Sequence, residues 1–197
     1  DYTYYYYSAT NQIAGASVNT FLKTSQTQST LARPTTAGTA DLNTRSITAY
    51  LGAVGYEQSD ITTKYAGTTA IDYTHYYYGA TKLQAGAVAN SALVMSQTQK
   101  TSATRPTAET ITDNTKSITY YKGDATLEQS DYTVKYANSA VVDYTAYYYE
   151  VGGVNTRANA GTTINSKLSL SHTTTGAVAI GAAPQATTKS ITSYAGT

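Results

Sequence analysis

Apolar and polar positions alternate with a period of two over several short stretches of the chain, the pattern of strands that bury one face. In residues 61–65, Ile61, Thr63 and Tyr65 share one side and Lys64 faces the other, and Tyr132, Val134 and Tyr136 repeat this arrangement around Lys135. In residues 164–170 the same period groups Ile164, Ser166, Leu168 and Leu170. Three segments beginning Ser-Ile-Thr place Ile47, Ile118 and Ile191 at one equivalent position. Each follows a proline, Pro34, Pro106 or Pro184, in Thr-, Ala- and Gly-rich sequence that reads as a turn or linker. Residues 80–95 are the one stretch with a helical alternative, since Leu83, Ala87 and Val94 would line one helix face. Gly86 and the polar, Thr-rich neighbourhood favour strand there as well.

These strands belong to an internal repeat. Asp-Tyr-Thr followed by a tyrosine run begins at Asp1, Asp72 and Asp143, at two equal spacings of 71 residues. Other landmarks keep register: SQTQ at Ser25 and Ser96, SIT at Ser46, Ser117 and Ser190, EQSD at Glu57 and Glu128, TKYA at Thr63 against VKYA at Val134. A period of this length suits a sheet unit of about five strands. The pattern predicts an all-β protein of tandem repeats of about 71 residues forming small β-sandwich-like units, with repeats at 1–71 and 72–142 and an incomplete third at 143–197.

Composition narrows the chemistry. Tyrosine supplies 21 of the aromatic residues against one Phe and no Trp, so almost every large ring carries a hydroxyl suited to a half-wet surface. The absence of cysteine excludes disulfides and thiolate chemistry. A net charge of +1, scattered singly, leaves no footprint for nucleic acid. No apolar run is long enough to span a bilayer as a helix, and no Asn-x-Ser/Thr sequon occurs. A signal-like segment is not found at Asp1, so a secreted form is expected to have lost its signal ahead of this numbering.

The tyrosine runs are the most conspicuous candidate sites: Tyr4, Tyr5, Tyr6 and Tyr7, then Tyr76, Tyr77 and Tyr78, then Tyr147, Tyr148 and Tyr149. On a strand, Tyr76 and Tyr78 are expected to point opposite to Tyr77, and Tyr147 and Tyr149 opposite to Tyr148. One face then packs in the sheet, and the other makes cross-strand ladders or stacks on sugars or a neighbouring subunit. With Ile191 and Tyr194 of the last SIT segment, these residues are the candidates for subunit interface or binding. The acids of EQSD (Glu57 with Asp60, Glu128 with Asp131) lie just before a strand and read as turn residues, ahead of a weak calcium site or a carboxylate pair for catalysis. His75 occupies the position of Tyr4 and Ala146, and His172 stands alone, so neither a triad nor a metal site is expected. Arg33-Pro34 and Arg105-Pro106 read as loop markers.

No cofactor motif and no catalytic set is present, so the expected role is not enzymatic. The expectation is a structural subunit of an extracellular filament or cell-surface layer, with copies of itself as partner. Assembly would be head-to-tail by strand complementation, residues 188–195 docking beside residues 1–7 of the next subunit. The alternative is a glycan- or surface-binding adhesin using the tyrosine rows, with a hydrolase a distant third. A fragment cut from a longer array would show the same repeat frame.

Overall fold

The computed structural model describes residues 1–8, 19–34, 36–158, 166–176 and 181–195. It contains β1 (Tyr2–Tyr7), β2 (Leu22–Gln28), β3 (Thr44–Leu51), β4 (Gln58–Ala66), β5 (Thr69–Tyr78), β6 (Leu83–Gln84), β7 (Leu93–Gln99), β8 (Thr115–Lys122), β9 (Gln129–Ala137), β10 (Ala140–Val151), β11 (Val154–Arg157), β12 (Leu168–Thr175) and β13 (Thr188–Ser193). No helix occurs among the described residues, and none is therefore long and apolar enough to cross a membrane.

The thirteen antiparallel strands belong to one sheet, in the order β1-β2-β3-β4-β5-β7-β8-β9-β10-β12-β13, with β6 on β5 and β11 on β10. The chain is all-β, as expected, and the single sheet does not confirm the expected sandwich-like units. Each strand along the path pairs with the next, whereas a sandwich needs connections that carry the chain from one sheet to a second. Alternation in the sequence reports only that one face of a strand is covered, not whether a second sheet covers it.

The chain divides into two compact units, one of Asp1–Asn90 with Thr98–Thr107 and one of Ser91–Gln97 with Ala108–Thr197. In the first unit, β4 and β5 form a hairpin in which Ala66 pairs with Thr69 and Lys64 with Asp72. In the second, β9 and β10 pair Ala137 with Ala140 across Asn138 and Ser139, whose φ angles of 50° and 63° are those of the mirror-image turn that matches strand twist. Asp72 and Asp143 thus sit inside β5 and β10. Residues 80–95 contain β6, turns and the start of β7. In the alternating stretch that ends at Leu170, the strand begins at Leu168, and Ile164 lies outside the described residues.

Hydroxyl pairs join neighbouring strands. In the first unit Thr3 meets Thr27 at 3.0 Å, Thr48 meets Thr62 at 2.8 Å and Thr74 meets Thr98 at 2.9 Å. In the second, Thr119 meets Thr133 at 2.8 Å and Thr145 meets Thr173 at 2.9 Å. The buried positions are unusually polar. Gln26 is fully buried; its amide donates to the Thr39 carbonyl at 3.0 Å and its oxygen accepts the Gly38 N–H at 3.1 Å, which folds the β2–β3 loop over the strand. Gln97 donates to the Thr110 carbonyl at 2.7 Å. His172 takes the corresponding place in β12, with Nδ1 3.2 Å from the Gly181 carbonyl and Nε2 2.7 Å from Thr188 Oγ1. It stands in for a loop-tethering glutamine. Gln26, Gln97 and His172 can be buried here because each ties its ring or amide to a loop or a neighbouring strand. An apolar cluster forms in the second unit from Ala146, Tyr148 and Leu170, with Ala182 and Ile191 packed on it.

Candidate functional site

The side chains that recur in the Asp-Tyr-Thr strands are tied to the EQSD strand beside them. In the first unit, Tyr76 Oη lies 3.1 Å from Thr62 Oγ1, and Tyr78 Oη donates to the Ser59 carbonyl at 2.9 Å. Arg105 donates at 2.8 Å to the backbone carbonyls of both Tyr76 and Asp60, and its guanidinium is ion-paired with the Asp60 carboxylate. The same guanidinium lies 5.0 Å from the centre of the Tyr77 ring, whose hydroxyl donates to the Pro106 carbonyl at 2.7 Å. One arginine therefore clamps two strands and a ring.

The second unit repeats this arrangement. Tyr147 Oη is 3.3 Å from Thr133 Oγ1, Tyr149 Oη donates to the Ser130 carbonyl at 3.0 Å, and Tyr148 Oη donates to the Gly181 carbonyl at 2.7 Å. Asp131 is paired with Arg157 at 2.6 Å, and that guanidinium lies 5.9 Å from the Tyr148 ring centre. Arg157 comes from β11, not from the loop that supplies Arg105. Both faces of the tyrosine run are covered. Tyr148 and Tyr149 are both buried, the β10–β12 register shifts between them, and β1 shifts against β2 between Tyr6 and Tyr7.

EQSD is not a turn motif here, because Gln58 to Asp60 and Gln129 to Asp131 already lie in β4 and β9. Glu57 Oε1 accepts the Leu22 N–H at 3.0 Å, and Glu128 Oε1 accepts that of Leu93 at 2.8 Å. These carboxylates capture the first backbone donor of a strand distant in sequence. Within each motif the two acids serve different partners and do not converge on a shared point.

Burial pushes the hydroxyl pKa values of Tyr76, Tyr77 and Tyr148 up, and that of Tyr149 up to about 12. The rings act as neutral hydrogen-bond donors across the ordinary pH range. No protein-family model matches the chain, and no curated protein or solved structure matches it.

The remaining candidates fall in three places. Ile191 packs on the Tyr148 cluster, and Tyr194, 44% exposed, lies with its hydroxyl 3.1 Å from Ser171 Oγ, as Tyr50 does from Ser25 and Tyr121 from Ser96. Tyr4 donates to the Leu31 carbonyl and lies under the Arg33 guanidinium at 4.8 Å. Tyr6 is buried with a hydroxyl that has no partner, and burial raises its pKa. Tyr5 is 50% exposed, and neither its hydroxyl nor that of Tyr7 is hydrogen-bonded among the described residues.

His75 is buried at the Arg105 clamp with Nε2 unpartnered. Burial, then the charge of Arg105, lowers its pKa, so the ring is neutral at pH 7. Sequence reasoning missed Arg105, Arg157, Ser59, Ser130, Thr62 and Thr133 as one system. The retained acid at Asp60 and Asp131 was its only signal.

Proposed function

We propose that the chain is a structural subunit of an extracellular filament or cell-surface layer, made of tandem units of about 71 residues that associate by strand addition. The observation that carries this reading is the use of the recurring side chains. At β5 and β10 the tyrosine hydroxyls and an arginine hold the neighbouring EQSD strand, and at β1 the corresponding tyrosines have only β2 beside them among the described residues. Residues kept for cohesion between strands fit a load-bearing or lattice-forming role. The proposal assigns no catalytic step and no cofactor.

The adhesin alternative draws less support, because Tyr77, Tyr78, Tyr148 and Tyr149 are buried and their hydroxyls are bonded within the chain. A sugar would have only isolated rings such as Tyr5 and Tyr194 to stack on. Electron microscopy of the purified chain tests the main reading, with filaments or ordered sheets expected. They should be lost on deleting residues 1–7 or residues 184–197. A monomer that stays dispersed at millimolar concentration, or a glycan-array signal abolished by Tyr5→Ala and Tyr194→Ala, would reverse the preference.

A further inference from the structure

The three Asp-Tyr-Thr strands differ in what flanks them. β5 lies against β4 and β10 against β9, both EQSD strands, whereas among the described residues β1 is hydrogen-bonded on one side only, to β2. Two tyrosines of each flanked strand and an arginine from elsewhere in the chain reach the EQSD partner: Tyr76, Tyr78 and Arg105 reach Thr62, Ser59 and Asp60, and Tyr147, Tyr149 and Arg157 reach Thr133, Ser130 and Asp131. Around β1 the counterparts are Tyr5, Tyr7 and Arg33. Among the described residues neither hydroxyl is hydrogen-bonded, and Arg33 is exposed over the Tyr4 ring with no carboxylate beside it.

We infer that the edge of β1, together with Arg33, is an acceptor site for a strand of pattern Ser-Asp-x-Thr, supplied by the EQSD segment of another repeat of this kind. The β4–β5 register fixes the docking. Thr62 of the incoming strand would stand opposite Thr3, Ile61 opposite Tyr4 and Lys64 opposite Asp1, as they stand opposite Thr74, His75 and Asp72. Tyr5 Oη then meets the threonine hydroxyl, Tyr7 Oη donates to the serine carbonyl and Arg33 pairs with the aspartate. An antiparallel edge supplies the backbone bonds, and these three side chains supply the choice of sequence. The inference rests on the strand-addition reading above but changes its partner. Residues 188–195, first expected to dock on β1, contain no carboxylate to meet Arg33, and neither β5 nor β10 has an SIT strand on its EQSD side.

The probe is a fluorescein-labelled peptide of residues 57–66 titrated into the full chain, with amide exchange read by mass spectrometry. Saturable binding with slowed exchange over residues 2–7 is expected. Arg33→Ala, or Asp60→Asn in the peptide, should weaken binding by about tenfold or more, the scale of a charge-assisted hydrogen bond, and Tyr5→Phe or Tyr7→Phe by about fivefold. A peptide of residues 188–195 should not compete. Protection elsewhere, binding indifferent to Arg33→Ala, or equal competition by 188–195 would overturn the assignment. Should the peptide prove insoluble, a second copy of residues 57–71 placed ahead of Asp1 presents the same strand covalently. Exchange over residues 2–7 should then slow by at least about tenfold, and unchanged exchange overturns the site. Docking without filaments in the microscope leaves this site standing and removes the filament reading; filaments indifferent to Arg33→Ala do the reverse.

Discussion

Replacing Thr62 by valine removes one hydroxyl that joins three strands. Thr62 Oγ1 on β4 lies 2.8 Å from Thr48 Oγ1 on β3 and 3.1 Å from Tyr76 Oη on β5, and all three residues are half-buried. Each bond between neutral groups contributes about 0.5–1.5 kcal/mol net. Valine keeps the shape, and water can reach the partners left behind, so the loss should be about 1–2 kcal/mol and not the sum of two full bonds. In a chain of 197 residues this lowers Tm by about 2–8 °C. The assay is urea unfolding followed by circular dichroism, with a lower midpoint and an unchanged slope expected. A double-mutant cycle with Tyr76→Phe should show coupling of about 0.5–1 kcal/mol. Thr133 provides an internal comparison. Its contact with Thr119 is equally short, but Tyr147 is 3.3 Å away, so the Thr133/Tyr147 coupling should be the smaller of the two. A midpoint shift worth less than about 0.3 kcal/mol for Thr62→Val, or zero coupling to Tyr76, would refute the view that these hydroxyls hold the strands together.

Because His75 has a lowered pKa in the fold, the unfolded chain takes up its proton first, and stability should fall as pH drops below about 6.5; urea midpoints at pH 7.5 and 5 measure this, and His75→Ala, matching Ala146, should flatten the difference. At the alkaline end Tyr149 holds its proton to about 12 while an unfolded tyrosine releases it near 10, so stability should fall as pH rises from 10 through about 12, and phenolate absorbance should appear together with loss of strand ellipticity. Gly52 has φ +125°, and a Cβ there would lie 2.5 Å from the Tyr56 carbonyl oxygen, so Gly52→Ala should cost about 1–3 kcal/mol in thermal unfolding. Gly55→Ala, with open space around it at φ +78°, should cost about 1 kcal/mol.

Strand content was legible because the alternation that marks a strand is a local property. The alternation around Lys64 and Lys135 and the recurring SIT isoleucines mark β3, β4, β8, β9 and β13 directly. The single sheet was not legible, since a strand covered by a loop and a strand covered by a second sheet share one alternating pattern. The Asp60–Arg105 pair joins residues far apart in sequence, and its second-unit counterpart draws Arg157 from another element, so matched positions could not reveal it. His172 is the instructive case. Ser-His at 171–172 aligns with Ser-Gln at 25–26 and 96–97, and hydrogen-bonding capacity, not residue type, is what that position retains.

That substitution bears on why so polar a chain holds a fixed strand register. Burial of apolar surface is non-directional, so a sheet packed by it alone tolerates sideways slippage wherever the next residue is also apolar. A buried glutamine, a threonine ladder and a tyrosine reaching a particular carbonyl are satisfied in one register only, and a slip would leave buried donors unpaired at about 1–3 kcal/mol each. The stabilising groups of this protein are therefore also its addresses. Tyr78 and Tyr149 select the carbonyls of Ser59 and Ser130, Asp60 and Asp131 select an arginine, and Glu57 and Glu128 select the first N–H of the strand they meet. Strands that specify their neighbours by such contacts can be joined in series, and the site we infer at the edge of β1 is the same address, carried by Tyr5, Tyr7 and Arg33, which have no EQSD strand beside them among the described residues.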